Sequence, residues 1–214
     1  MTVRALAAAL LLAGVAAAQN LDVDLAAYRK AEAAGAVGNV SGRAHAEERT
    51  RGEAEHALAG TAVVLLPRSA ELVGRLEEIR TRARDSERTF VSAATAIRQA
   101  REAYEQRLWE AGFADFVRAT VVDASGAFST ADLPAGGWLL IATRSVFISK
   151  PSPRTVPRDR EIFAQRPRFV GYYAVSVWLR TLNIAGGRSE TVDLTDRNVW
   201  FAGIVEDRVL DAGH

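Results

Sequence analysis

Three histidines, His45, His56 and His214, and no cysteine make up the chain's supply of imidazole and thiolate ligands. Glu47 and Glu48 follow the first, and Glu53 and Glu55 precede the second. A metal-binding loop of imidazole and carboxylate groups can be drawn from these residues. A charged edge loop that stays solvated accounts for them more simply, so no metal and no cofactor are assigned. The sequence holds no G-x-S-x-G, no Gly-rich phosphate loop and no H-E-x-x-H, so nucleophilic, phosphoryl and zinc chemistry lack their parts. No catalytic residue is assigned, and the reading is a protein that is not an enzyme.

What remains is recognition chemistry. From Phe169 the residues alternate in the manner of a strand. Phe169, Gly171, Tyr173, Val175, Val177 and Leu179 form one face, read as the core face, and Val170, Tyr172, Ala174, Ser176, Trp178 and Arg180 the other. Tyr172, Trp178 and Arg180 are therefore candidate ligand-binding residues, a stacking platform for a sugar ring. The competing reading is that helices from elsewhere in the chain lie on this second face and bury it. Trp200 and Phe201 carry the same ambiguity. Residues 150–168 hold four prolines and six basic against two acidic residues, a surface loop that suits an acidic partner or simply solvent.

These residues need a scaffold, and its elements are legible. Leu21 to Ala34 reads as a helix, with acids early and bases late, ending at Gly35. Val40 to Ala44 begins a short strand, residues 47–56 form a charged loop, and Gly60 to Leu66 is an apolar strand closed by Pro67. Ser69 to Ala111 contains one glycine, no proline, and apolar residues at helical spacing (Leu72, Leu76, Ile79, Ala83; Phe90, Ala94, Ile97, Tyr104, Leu108). Ser69 is a candidate cap. As one rod this stretch would reach about 64 Å, whereas the residues that follow it span about 25 Å at full extension. If the flanking strands share a sheet, the rod must fold back near Asp85-Ser86-Glu87 as a hairpin. A continuous heptad seam used for dimerisation is the alternative, because the spacing runs through Ser86 without a slip.

After Ala119 the strand character returns. Asp123-Ala124-Ser125-Gly126 predicts a tight hairpin over 121–130. Leu133-Pro134-Ala135-Gly136 is a second turn, and a strand follows to about Ser149. The long strand Phe169 to Ile184 is predicted to turn at Gly186-Gly187 and to take Arg188 to Leu194 as its partner.

Val40-Ser41-Gly42-Arg43, Leu58 to Leu65, Asp123 to Phe128 and Leu133 to Leu140, in that order, resemble the carboxypeptidase regulatory-like domain. Gly186 to Thr195, GGRSETVDLT, resembles its closing strand. The resemblance covers roughly half the mature chain and implies a fold that is mainly β: a transthyretin-like seven-stranded antiparallel β-sandwich, here with an inserted α-helical hairpin (α+β overall). The domains so drawn are 1–18, a signal peptide; 19–36, an N-terminal helical segment; and 37–214, the sandwich, interrupted by a helical insertion at 68–116. Two departures stand out: Ala57 where proline is common, and helices within a strand pair that the family joins by a short connection. The resemblance implies accessory roles in adhesion, folding support, surface architecture or sugar contact. The transthyretin-like hydrolases of purine breakdown end in Tyr-Arg-Gly-Ser, and this chain does not.

Residues 1–18 carry one early positive charge at Arg4, an apolar run over 5–15 and an A-x-A site before Gln19, the pattern of a cleaved secretory signal. The apolar run is about ten residues where a bilayer needs about twenty, and no later segment is long and apolar enough to span. The mature chain is thus expected to be soluble, in the periplasm or secreted. Without Arg4, basic and acidic residues balance at 26 each, which leaves no electrostatic footprint for nucleic acid. Lysine occurs only at Lys30 and Lys150, a composition suggesting a bacterial source. The sequence therefore reads as an exported, non-enzymatic binding or scaffolding module of the bacterial cell envelope whose helical insertion creates a protein-facing surface, its partner an envelope protein or, alternatively, a surface glycan. Its oligomeric state is open.

Overall fold

A computed structural model describes residues 21–47, 55–150 and 168–209. The signal segment, most of the charged loop and nearly all of the Pro-rich loop lie outside the described residues.

The chain opens with α1 (Leu25–Ala33), capped by the Asp24 side chain, which accepts from the Ala27 amide. The helix thus starts four residues later than its composition predicts. Strands β1 (Val37–Ala46), β2 (His56–Ala57) and β3 (Ala62–Pro67) follow. Next come α2 (Ala70–Arg82), α3 (Glu87–Glu110), a single 3-10 turn (Ala114–Phe116) and β4 (Arg118–Val121). Strands β5 (Ala127–Pro134), β6 (Gly136–Ser149), β7 (Arg168–Ile184), β8 (Ser189–Thr195) and β9 (Phe201–Val209) complete the described residues.

Two sheets pack face to face as a β-sandwich. In the first, β1 is central and pairs with β2, β5 and β8; the second runs β4-β3-β6-β7-β9. Strands β3 and β4 are hydrogen-bonded neighbours, so the helices are an insertion within a strand pair, as the sequence implies.

The insertion is an intramolecular hairpin. Ser69 caps α2 through the Leu72 amide at 2.9 Å. Ser86 and Thr89 form a reciprocal capping box that restarts the chain as α3. Arg107 near the end of α3 pairs with Glu71 at the start of α2 at 3.1 Å, which fixes the two helices antiparallel. A four-residue interruption with its own cap is thus stronger than the unbroken apolar phase across it.

Two expected pairings are not formed. Asp123 does build its turn: its carboxylate accepts from the Ser125 and Ala127 amides, with Gly126 at φ +84°. However, β4 pairs with β3 and β5 with β1, so this is a corner between sheets rather than a hairpin. Likewise β8 is no partner of β7. It joins β1 in parallel, Asn39 opposite Ser189 through His45 opposite Thr195, and β7 pairs instead with β9. The turn after β7 lies on the start of β1, where Gly187 donates to the Val37 carbonyl at 2.7 Å and Asn39 to that of Arg188 at 2.9 Å. Gly38 permits this approach, since a Cβ there would sit 2.6 Å from the Arg188 carbonyl oxygen. The described strands therefore number nine, with one parallel pair.

The second sheet is covered on both faces, which explains the unbroken buried run from Trp138 to Ala142 in its central strand. On the inner face, Trp178 meets the first sheet, its indole nitrogen donating to the Thr195 carbonyl at 2.7 Å. On the outer face lies the hairpin: Ala94 of α3 approaches Gly203 of β9, and Trp200 donates to Glu77 of α2 at 2.9 Å beneath the Arg80 guanidinium. Helix α1 closes one end, with Tyr28 edge-on to Trp138 at 5.5 Å and its hydroxyl donating to the Gly137 carbonyl.

Candidate functional site

Burial decides the fate of the residues singled out in the sequence. Trp178 is 1% exposed, so its ring is part of the core between the sheets. Arg180 is half-buried and donates to the carbonyls of Leu179 and Asn198 at 3.1 and 3.2 Å. Tyr172 is half-buried, six residues from Trp178 along β7. The three do not form a platform. Alternation along β7 is as read, and Val175 and Val177 of the odd-numbered face are buried as expected, but the coverings are exchanged. The even-numbered face turns inward between the sheets, and the odd-numbered face receives the helical hairpin.

His45 is buried beside Asp193, at 3.4 Å from Nδ1, and Glu55, at 3.8 Å from Nε2. Glu47 is turned away, its amide accepted by Asp196 and its carboxylate paired with Arg197 at 2.8 Å. Among the described residues no group of three such side chains could hold a metal; Glu48, Glu53 and His214 lie outside them.

The exposed chemistry gathers elsewhere. Strand β3 accompanies β6 only from Trp138 to Thr143, whereas β6, β7 and β9 continue together to Ser149, Arg168 and Val209. The result is a three-stranded arm that runs on past the sandwich. Among the described residues it carries most of the large exposed apolar side chains: Val146, Phe147, Ile148 and Tyr173. Phe147 and Tyr173 are directly opposed, their ring centroids 5.2 Å apart and tilted by 55°. Gly171 makes room for the Phe147 ring, because a Cβ at that position would lie 2.8 Å from it. A strongly apolar strand end read by hydropathy alone passes for core, so the signal for this patch is topological: β6 outruns β3.

Beside the arm, where α3 leaves the sheet, is a cavity of about 370 Å³. Its floor is Thr143, Val175 and Val205, its roof Ala94 and Ile97, and its rim Arg98 and Arg101. Arg101 is paired with Glu105 at 3.2 Å and Arg98 with Glu102 at 3.9 Å. Burial pushes the Glu105 carboxyl up from its ordinary value, with the Arg101 charge opposing. Cavity and arm share one face, since Ser145 and Val175 are followed on it by Phe147 and Tyr173. Such a surface offers contact area and a few charges, the equipment of binding rather than of bond-breaking.

No family model and no curated protein matches the sequence. Among solved structures, a proposed carbohydrate binding protein from Pseudomonas aeruginosa is 14% identical, covering 75% of this chain and 88% of its own, with a TM-score of 0.39. The pilus backbone from Streptococcus pneumoniae is 17% identical over 50% of this chain and 30% of its own, with a TM-score of 0.23. The assignment as a β-sandwich with a helical insertion rests on the pairings described above. No helix among the described residues is long and apolar enough to cross a membrane.

Proposed function

We propose that the protein is an exported, non-catalytic binding module of the bacterial cell envelope that works by protein–protein contact through its three-stranded arm. The observation that carries the reading is the opposed pair Phe147 and Tyr173, solvent-exposed on one face of the arm, with Val146 and Ile148 exposed on its other face. Soluble chains seldom leave several large apolar side chains together in water without a partner for them. Export rests on the signal pattern of residues 1–18, and kinship with carboxypeptidase regulatory-like domains on the turn motifs, whose Asp123 and Gly126 make a sheet-to-sheet corner. The domain limits read from the sequence, 19–36 and 37–214 with the insertion at 68–116, belong to the same proposal.

The helical insertion serves this reading as cover for the second sheet. Its remaining exposed aromatics, Phe90 and Trp109, stand near opposite ends of α3, about 28 Å apart at 1.5 Å per residue, too far to make one patch. The carbohydrate reading loses Trp178 to the core. It would rest on Tyr172 and on a ring pair whose 55° tilt offers no flat platform.

The test is retention of envelope proteins on immobilised full-length chain. The double variant Phe147→Ser, Tyr173→Ser should cut specific retention at least tenfold while leaving the fold intact, because both side chains are exposed. Retention that follows Trp109→Ser and ignores the arm would overturn the proposal.

A further inference from the structure

We propose that the free edge of β6 accepts an extended strand from an acidic polypeptide segment with an apolar centre, by β-strand addition. This deepens the binding role proposed for the arm and rests on it.

The backbone supplies the first argument. Flanking hydrogen bonds fix which groups of β6 face which neighbour: Lys150 donates to the Val170 carbonyl on β7, and Arg68, leading out of β3, donates to that of Gly137. Even-numbered residues of β6 therefore bond toward β7 and odd-numbered ones toward β3. Beyond Thr143 no described strand occupies the β3 side. The N–H and C=O groups of Ser145, Phe147 and Ser149 thus point to a side of β6 that no described residue pairs with, an edge about 20 Å long at about 3.3 Å per residue. Such an edge is a template for a further strand, and the added strand would cover Val146, Phe147 and Ile148.

Charge selects the occupant. Arg144 and Lys150 bracket the apolar centre, and neither has an ion-pair partner among the described residues. A second copy is the obvious candidate, and charge opposes it. The self-pairing of greatest overlap is antiparallel and centred on Phe147. It sets Arg144 directly opposite Lys150 of the other copy at both ends of the seam, an arrangement that disfavours pairing. Charges at an edge discourage self-association in general. Here they do so while favouring a foreign strand that brings a carboxylate to each of those positions. The segment that fits has two acidic residues six apart, with apolar residues at the second and fourth positions between them.

The experiment uses the full chain and a fluorescein-labelled peptide with the core Asp-Thr-Val-Thr-Val-Thr-Asp, read by fluorescence anisotropy. A control peptide carries lysine in place of both aspartates. The acidic peptide should bind at least tenfold more tightly than the control, and Arg144→Glu with Lys150→Glu should reverse that order. Ser145→Pro removes one outward N–H, leaves the β7 ladder and the aromatic pair untouched, and should weaken binding about tenfold. Equal or absent binding of the two peptides, or full binding by Ser145→Pro, would overturn strand addition. So would a concentration-dependent dimer that Ser145→Pro dissolves. If envelope retention still depends on Phe147 and Tyr173 while the edge variants change nothing, strand addition is refuted and the binding role of the arm stands.

Discussion

Trp178 presents itself in sequence as a recognition residue and serves in the structure as a core residue, and the two roles respond differently to truncation. A buried indole that also satisfies the Thr195 carbonyl should cost about 3–5 kcal/mol on Trp178→Ala. Denaturant unfolding measures this directly; a surface stacking residue would leave stability almost unchanged. Asp115 gives a second prediction. Burial pushes its carboxyl up, but hydrogen bonds and charge from Arg29 more than offset this and hold it below the ordinary value of 3.8. Its contribution is therefore full above that value and disappears as the pH falls through the lower native one. Asp115→Asn should be less stable than the parent at pH 7, and the gap in thermal midpoints should begin to narrow near about pH 4 and close as the pH falls through the lower native value. Local chemistry of this kind is readable without a structure, as the cap at Ser69 and the turn at Asp123 show. Which way a strand residue faces is not, because both faces of β7 are apolar enough to be core.

At the level of elements, the helices and the cap at Ser69 were legible because a cap is a three-residue event, whereas the caps at Asp24 and Ser86 were not read. Ser86→Ala removes the side-chain half of the capping box and should cost about 1 kcal/mol. Urea titration should show a lower midpoint with an unchanged m-value if hairpin and sandwich unfold together, and two transitions if they do not. Strand partners were less legible, for a physical reason. The turns at Asp123 and Gly187 look the same from within whether the chain returns along its own sheet or crosses to the facing one. Only the place of β1 as a shared neighbour of β5 and β8 decides, and that depends on residues far away in sequence. Strand β9 was missed because Trp200 and Phe201 read as an aromatic afterthought rather than as the entry to a strand that covers β7.

For the molecule as a whole, the order of layers determines where binding can occur. The first sheet covers one face of the second, the hairpin covers the other, and α1 plugs an end. Among the described residues, surface for a partner is then left chiefly where β6, β7 and β9 outrun the other elements. That layering could not be read from periodicity, which marks a face as apolar without saying what covers it. The most direct measurement is residue-resolved amide hydrogen exchange along β6 in the full-length chain. Arg144, Val146 and Ile148, bonded to β7, should be protected, while the amides of Ser145, Phe147 and Ser149 exchange at least a hundredfold faster. Uniform protection across the six would mean that the edge is already occupied, and would contradict the account.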